Sequence, residues 1–289
     1  MGIYSLLSRL PVVRFTRRPP LVAVLRLTGV IGSLGPLRSG LTLAGQAQAI
    51  ERAFKMKRLS AVALSINSPG GSPVQSALLA TRIRALADEK EIPVFAFTED
   101  VAASGGYWLA CAADEIFADE NSIVGSIGVI SSGFGLQELI KRIGVERRLH
   151  TAGERKAMLD PFKPEDPEDL KRLEAIQQDI HESFKEMVRR RRGAKLKADE
   201  TTLFNGEFWT GKRARELGLV DGLGELRQVM RQRFGDKVQL KRIGGRQPWW
   251  RRRLGVTEAL ERAGPQPADW AGGLLAAVEE RALWSRFGL

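Results

Sequence analysis

Apolar residues along this chain fall into short β-branched runs, separated by stretches with helical spacing. The run from Leu21 to Ile31 (LVAVLRLTGVI) predicts a buried strand. Residues 42–57 predict a helix, with Ile50, Ala53, Phe54 and Lys57 marking one side. Ala61 to Asn67 (AVALSIN) predicts a second buried strand, closed by Ser68-Pro69-Gly70-Gly71. A helix is expected from about Pro73 to Lys90, with Val74, Leu78, Ile83 and Leu86 inside and proline in the first turn. Pro93–Thr98 predicts a third strand, and Ser104 opens a helix of small residues, SGGYWLACAAD. Ile123–Ile130 (IVGSIGVI) predicts another strand, followed by a helix near Gly135–Ile143 and a strand near Val145–His150.

Beyond these, residues 151–167 are polar with three prolines and predict a long loop. A helix is expected from Pro167 to Arg192. One strand–helix unit follows around Phe208-Trp209-Thr210 and another over Leu223–Ile243. Strands alternating with helices at this spacing indicate crossover units and a layered α/β domain. The expected organisation is a basic amphipathic lead-in at 1–20, one catalytic domain at 21–243, and a tail at 244–289 ending in an amphipathic helix.

With 289 residues and 43% hydrophobic content, the chain can bury a sizeable core. A single cysteine, Cys111, excludes an intramolecular disulfide and a cysteine-rich zinc site. Two histidines, His150 and His181, do not furnish a multi-histidine metal site, so no metal is expected. The net charge of +11 is unevenly spread. Arg9, Arg14, Arg17 and Arg18 stand without an acid in residues 1–20, Arg189 to Arg192 form an unbroken run, and Arg251 to Arg253 follow Trp249 and Trp250. Taken singly, each run reads as a solvated face. Beside aromatics, and beside the apolar side made by Ile3, Leu6, Leu7 and Leu10, basic residues also suit peripheral contact with an anionic membrane. At the other end, Leu274, Leu275, Val278 and Ala282 mark the apolar side of the tail helix. No helix-turn-helix, zinc-finger or aromatic-rich RNA-binding pattern is present, so nucleic acid is not expected. The N-terminal apolar pattern is too short and interrupted for a spanning helix or a secretory signal, which suggests a protein on the cytoplasmic side.

Two turns carry candidate chemistry. Ser65-Ile66-Asn67-Ser68-Pro69-Gly70-Gly71-Ser72 leaves a buried strand and enters a helix. Its glycines allow a sharp turn with amide N–H groups pointing outward, toward where an oxyanion would develop. Val101-Ala102-Ala103-Ser104-Gly105-Gly106-Tyr107 repeats the logic. Small neighbours leave the Ser104 hydroxyl accessible, and glycine afterwards lets a carbonyl approach the Gly105 amide, as at a nucleophile elbow. The local sequence alone fits a helix-capping serine as well. A nucleophilic serine needs a base. His150, His181 and a desolvated lysine such as Lys156 are the candidates.

The ordered set SINSPGGS, AASGGYWLACAAD, IVGSIGVI, GERK and NGEFWTGKRARELGLVDGLGEL resembles the signal peptide peptidase (protease IV) family over roughly residues 20–235. The resemblance implies an α/β fold of the Clp-protease/crotonase type, built from stacked β–β–α units. It implies a serine endopeptidase with a Ser/Lys dyad and no cofactor. By position, Ser104 matches the nucleophile and Lys156 the general base, with Arg155 where the family has an aromatic. Ser126 in G-S-I-G-V would orient the lysine amine. Gly70, Gly71 and Gly105 would form the oxyanion and substrate-binding site. The implied partners are short apolar peptides, such as signal peptide remnants, and further copies of the chain in a homo-oligomer. Two alternatives stand beside this reading: a catalytically silent membrane-associated scaffold of the same fold, and an acyl-CoA hydratase or isomerase.

Overall fold

The computed structural model of the chain describes residues 19–33, 40–153, 155–244, 278 and 280–289. The basic lead-in through Arg18, the Trp249–Arg253 segment and Leu274–Leu275 lie outside the described residues. Eight strands form one sheet. In chain order the elements are β1 (Leu21–Thr28), α1 (Leu43–Phe54), β2 (Leu59–Ser68), α2 (Pro73–Lys90), β3 (Val94–Ala103), α3 (Gly105–Ala110) and β4 (Glu115–Ala118). They continue with β5 (Ile123–Gly125), α4 (Gln137–Arg142), α5 (Pro167–Arg192), α6 (Glu200–Leu203), β6 (Phe208–Thr210), α7 (Gly211–Glu216), β7 (Gly222–Leu223), α8 (Leu226–Phe234) and β8 (Gln239–Ile243). The main path is β6-β5-β3-β2-β1-β8, parallel except for the antiparallel β5–β6 pair. This is the α/β class the sequence predicts.

The branch at β3 matters most for the site. Its first half pairs with β4 (Phe95–Thr98) and its second half with β5 (Val101–Ala103), on the same edge. Between the halves, β2 loses register: Ile66 faces Thr98, but Ser68 faces Ala102. Asn67 fills the resulting bulge, donating from Nδ2 to Asp100 at 2.6 Å and accepting from the Val101 amide at 3.2 Å. Ser122 holds the jog from β4 to β5, donating to the Glu99 carbonyl at 2.5 Å and accepting from the Asp119 amide.

The core lies mainly on the sheet face covered by α1, α2, α3 and α5, where Trp108 stacks on Phe184 with centroids 4.7 Å apart. A smaller cluster lies under α8 on the opposite face, around Val22, Val24, Phe95, Phe97 and Met230. Trp284 and Phe287, at the end of the chain, pack on Val101, Ala103 and Ile123.

Several elements depart from the sequence reading. The helix opened at Ser104 ends at Ala110 rather than running through SGGYWLACAAD, and Glu115–Ala118, which the sequence reading leaves unassigned, forms β4. The run at 123–130 forms a strand only to Gly125, and residues 145–150 pair with no strand and are exposed. Val74 and Leu78 are 64% and 42% exposed. The buried stripe of α2 is instead Ser76, Leu79, Ala80, Ile83, Leu86 and Ala87, because small Ser76 and Ala80 let the helix approach the sheet and α3.

The arginine run at the end of α5 is mostly internal rather than solvated. Arg189 binds Glu182 and Glu200, and Arg191 reaches the Cys111 and Ala113 carbonyls and Asp114. Arg192, 2% exposed, pairs with Asp221 at 2.5 Å and donates to the Gly218 carbonyl at 2.7 Å. Burial pushes the Asp221 carboxyl up, but the Lys195 ammonium, the Ile116 amide and the Arg192 guanidinium outweigh it and hold it below its ordinary value. Among the described residues no helix is long and apolar enough to cross a membrane.

Removing Arg192 takes one of two cations from Asp221, Lys195 remaining at 2.7 Å, and leaves the Gly218 carbonyl without its donor. Arg192→Ala is therefore expected to lower the unfolding free energy by about 1.5–3 kcal/mol, the range for a hydrogen bond to a charged group. Urea titration monitored by tryptophan fluorescence measures this. Because the Asp221 value is lowered by folding, its contribution is complete above about pH 4, the unfolded carboxylate value, and is lost as pH falls below it. The stability difference between wild type and Arg192→Ala should accordingly narrow in acid.

Candidate active site

Ser104 follows directly on β3, where the chain turns into α3. Its backbone takes φ 52° and ψ −122°, a region that L residues rarely occupy. Such a conformation costs on the order of 1–3 kcal/mol and persists only where neighbours impose it. Here the Ser104 amide donates to the Gly125 carbonyl at 2.8 Å, and its carbonyl accepts from the Trp108 amide at 3.0 Å. All six residues of α3 are buried, so the helix cannot shift to relax the turn. The Ser104 side chain makes no capping hydrogen bond to α3, so the capping role that the local sequence also allowed is not what it does. The hydroxyl is left half-buried at the strained turn.

The Gly70–Gly71 turn lies against this elbow. Both glycines have positive φ, 104° and 137°. A Cβ on Gly70 would lie 2.8 Å from the Ser104 Cβ and 2.9 Å from the Gly105 nitrogen, and one on Gly71 would collide with the Ile31 carbonyl. A Cβ on Gly105 would collide with the Ser76 hydroxyl and sit 3.4 Å from the Gly71 nitrogen. Only bare backbone lets the turns meet. Ile31 fixes the outer one, donating to the Gly70 carbonyl at 2.8 Å and accepting from the Ser72 amide at 2.7 Å. Neither the Gly71 nor the Gly105 amide donates to another group among the described residues, so two adjacent N–H groups remain free beside Ser104.

Ser126 enters from the neighbouring strand. Ala103 is opposite Gly125, so Ser104 and Ser126 occupy matching positions just beyond two parallel strands. Ser126 is buried, also has positive φ (53°), and is held by its amide donating to the Glu207 carbonyl at 2.6 Å. His181, on α5, reaches the carbonyl of Ile127 with Nε2 at 3.2 Å, rather than lying on a solvated face as its charged helical surroundings suggest. His150 is exposed. Lys156 is also exposed, in the long segment after Gly128, and makes no side-chain hydrogen bond to Ser104 or Ser126 among the described residues. The structure thus brings Ser104, Gly70, Gly71, Gly105 and Ser126 together, and among the described residues Lys156 shares no hydrogen bond with them.

Two supporting residues escaped the sequence reading. Ser76 donates to the Ser72 carbonyl at 2.8 Å and backs Gly105, and Asn67 staples the bulge beneath the elbow. The only signal for Ser76 is a small polar residue four positions after a helix cap. Cys111 is no rival nucleophile, since burial pushes its thiol up to about 12 and keeps it protonated. Among the described residues, no group of three or more His, Cys, Asp or Glu side chains could hold a metal ion.

A sequence profile described as peptidase family S49 matches residues 87–240, which include Ser104, Ser126 and Lys156. Over 99% of its length the chain is 51% identical to a Brucella abortus protein named Na(+)/H(+) antiporter NhaA, of which it spans 39%. It is 33% identical to the putative protease slr0021 of Synechocystis, over 77% of this chain and 83% of that one. It is also 33% identical to the chloroplastic serine protease SPPA of Arabidopsis thaliana, over 72% of this chain and 31% of that one. With a strained serine beside two free backbone amides, and a profile match spanning more than half of the sequence, the chain belongs to peptidase family S49.

Proposed function

We propose that this chain is a serine endopeptidase that cleaves short apolar peptides by acyl transfer through Ser104. The observation that carries the reading is the strained Ser104 elbow, set against the free amides of Gly71 and Gly105. The Ser104 Oγ attacks the scissile carbonyl carbon. The Gly71 and Gly105 amides donate to the oxygen as it becomes an oxyanion. The neutral Lys156 amine takes the serine proton and passes it to the leaving amine, after which water releases the acyl group from Ser104. Ser126 holds the lysine amine in position.

In one chain Lys156 is carried on an arm that also exposes Ile130, Phe134, Leu139, Ile143, Val145 and Leu149. So many exposed large apolar side chains mark a surface that a partner covers. The reading therefore includes a homo-oligomer in which these arms pack between copies and a lysine reaches each serine. Val74 and Leu78, one turn apart on α2 just after Gly71, offer apolar contacts to a substrate in the groove. This favours hydrophobic peptides, signal peptide remnants at the cytoplasmic membrane face among them. Peripheral attachment to anionic lipid through the two basic ends belongs to the same proposal.

Ser104→Ala is expected to abolish casein cleavage and labelling by a fluorophosphonate probe while leaving the circular dichroism spectrum unchanged. Cleavage by Ser104→Ala at a near wild-type rate, or a probe adduct mapped by mass spectrometry to another residue, would overturn the assignment. A wild-type protein that neither labels nor cleaves would favour the silent scaffold. Lys156→Ala and Lys156→Arg should both be nearly inactive, because a guanidinium cannot serve as a neutral base. Retained activity in Lys156→Arg together with loss in His150→Ala would move the base to His150.

Gly71→Ala tests the amides. Its methyl would collide with the Ile31 carbonyl, moving the turn and its N–H. The expected fall in kcat is about 10²–10³-fold, as for other lost oxyanion donors, with substrate KM changed much less.

A further inference from the structure

The residues that end β5 set where Ser126 stands, and each is held by a different neighbour. The Gly125 carbonyl accepts from the Ser104 amide at 2.8 Å, and the Trp209 ring fills the space a side chain on Gly125 would take. The Ser126 amide donates to the Glu207 carbonyl at 2.6 Å. The Ile127 carbonyl accepts from Nε2 of His181, on α5, at 3.2 Å. A carbonyl oxygen can only accept, so Nε2 carries the proton of this bond. Beyond it, from Val129 to Gly135, no main-chain N–H or C=O is hydrogen-bonded among the described residues. His181 therefore makes the last hydrogen bond from another element before the chain leaves for the arm that bears Lys156.

Burial and backbone strain give this bond its consequence. Gly125 and Ser126 both have positive φ, 116° and 53°, and a serine keeps such a conformation only while its neighbours impose it. Ile127 is 0% exposed, so its carbonyl has no access to water. Without a donor it becomes a buried, unpaired acceptor, and rotating the Ile127–Gly128 peptide toward solvent relieves that cost. The Gly128 amide belongs to the same peptide plane and donates to the Ser126 carbonyl at 3.0 Å. Rotation thus breaks this closing bond as well and releases Ser126 from its turn.

His181 is itself firmly placed. His181, Phe184 and Val188 follow one another at helical spacing and share one side of α5. Phe184 stacks on Trp108 of α3, and Arg191 donates to the Cys111 carbonyl at the end of α3. One helix therefore grips both the helix that begins at Ser104 and the turn that carries Ser126. We propose that His181 is a positioning residue, whose Nε2–H fixes the Ile127 carbonyl and so keeps the Ser126 hydroxyl in step with Ser104. Its effect on rate rests on the peptidase reading, in which Ser126 holds the base amine; its hold on the turn does not. This role differs from that of a general base, because Nε2 is engaged by a main-chain carbonyl and His181 makes no hydrogen bond to Ser104 among the described residues.

The test compares the full wild-type chain with His181→Phe and His181→Gln. Phenylalanine keeps a flat ring and removes the donor, whereas the glutamine amide nitrogen can reach the position of Nε2 and restore it. Hydrogen–deuterium exchange read by mass spectrometry reports on the turn, and cleavage of an apolar peptide gives kcat and KM. In His181→Phe, exchange over residues 124–130 is expected to quicken by about tenfold, the cost of a buried acceptor left unpaired, with residues 105–113 unchanged. The kcat should fall about ten- to a hundredfold, as for a misplaced reacting group, with KM changed by less than about twofold. His181→Gln should recover most of both. Unchanged exchange over 124–130 in His181→Phe, or an unchanged kcat, would overturn the proposal. So would a glutamine variant no better than the phenylalanine one, which would assign His181 to packing, or exchange quickened equally over 105–113, which would mean that α5 had loosened as a whole. A wild type that neither cleaves nor labels with the fluorophosphonate probe would count against the peptidase reading, and the exchange pattern would still decide whether His181 holds the turn.

Discussion

Two backbone turns must touch for this site to exist. The Gly70–Gly71 turn ends β2, and the Ser104–Gly105 turn ends β3, on adjacent parallel strands. Any side chain on Gly70, Gly71 or Gly105 would push the turns apart, since each Cβ would meet backbone or a buried hydroxyl within 3 Å. The contact sets three things together: the separation of the two free amides, the exposure of the Ser104 hydroxyl, and the seating of α2 and α3 behind them. Ile31 bridges to the outer turn and connects β1 to the same point, so three consecutive parallel strands deliver backbone to one place. The crevice outside the carboxyl ends of parallel strands is a general location for ligand sites in α/β folds.

Holding Ser104 at positive φ requires rigidity on both sides. Behind it, α3 is buried along its whole length, with Tyr107 donating to the Leu219 carbonyl at 2.8 Å and Trp108 stacked on Phe184. Beside it, β5 supplies the Gly125 carbonyl, and β5 itself is seated by Trp209, whose ring occupies the space a Gly125 side chain would need. The split of β3 between β4 and β5 makes room for this. A sheet partner that ran straight along β3 would place Ser126 out of step with Ser104. The Asn67 and Ser122 side chains replace the ladder hydrogen bonds lost at the split, as a bulged strand requires.

Charge is divided between structure and surface. The arginines ending α5 are largely consumed by Asp114, Asp221, Glu182, Glu200 and main-chain carbonyls, and they fasten α5 to the end of α3 and the α7–β7 turn. They therefore contribute little to any attraction for an anionic partner. The arm carrying Lys156 has the opposite character. It is exposed, its apolar side chains are uncovered, and its ion pairs, such as Arg147–Asp160 at 3.0 Å, are local. The proposed assembly of copies rests on this contrast between a rigid serine turn and an uncovered arm on one chain.

Much of this was legible in the residues themselves. The helix from Pro167 to Arg192 has the bounds its proline start and periodicity predict, and the strand–turn–helix order around Gly70-Gly71 and Ser104-Gly105 follows from local chemistry alone. Runs of β-branched residues, prolines in first turns and paired glycines act within a few residues, so they can be read without the fold. What depended on distant neighbours could not. Val74 and Leu78 are as hydrophobic as Leu79 and Ile83, and only the approach of β2 and α3 decides which stripe of α2 is covered. Residues 145–150 have the composition of a strand but meet no sheet edge, while Glu115–Ala118 becomes a strand because β3 lies beside it. A run of arginines looks the same in sequence whether water or Asp221 surrounds it. The serine was visible from its small neighbours. Its strained backbone and its place beside the Gly71 amide were set by tertiary structure, because both depend on a second strand arriving at the same point in space.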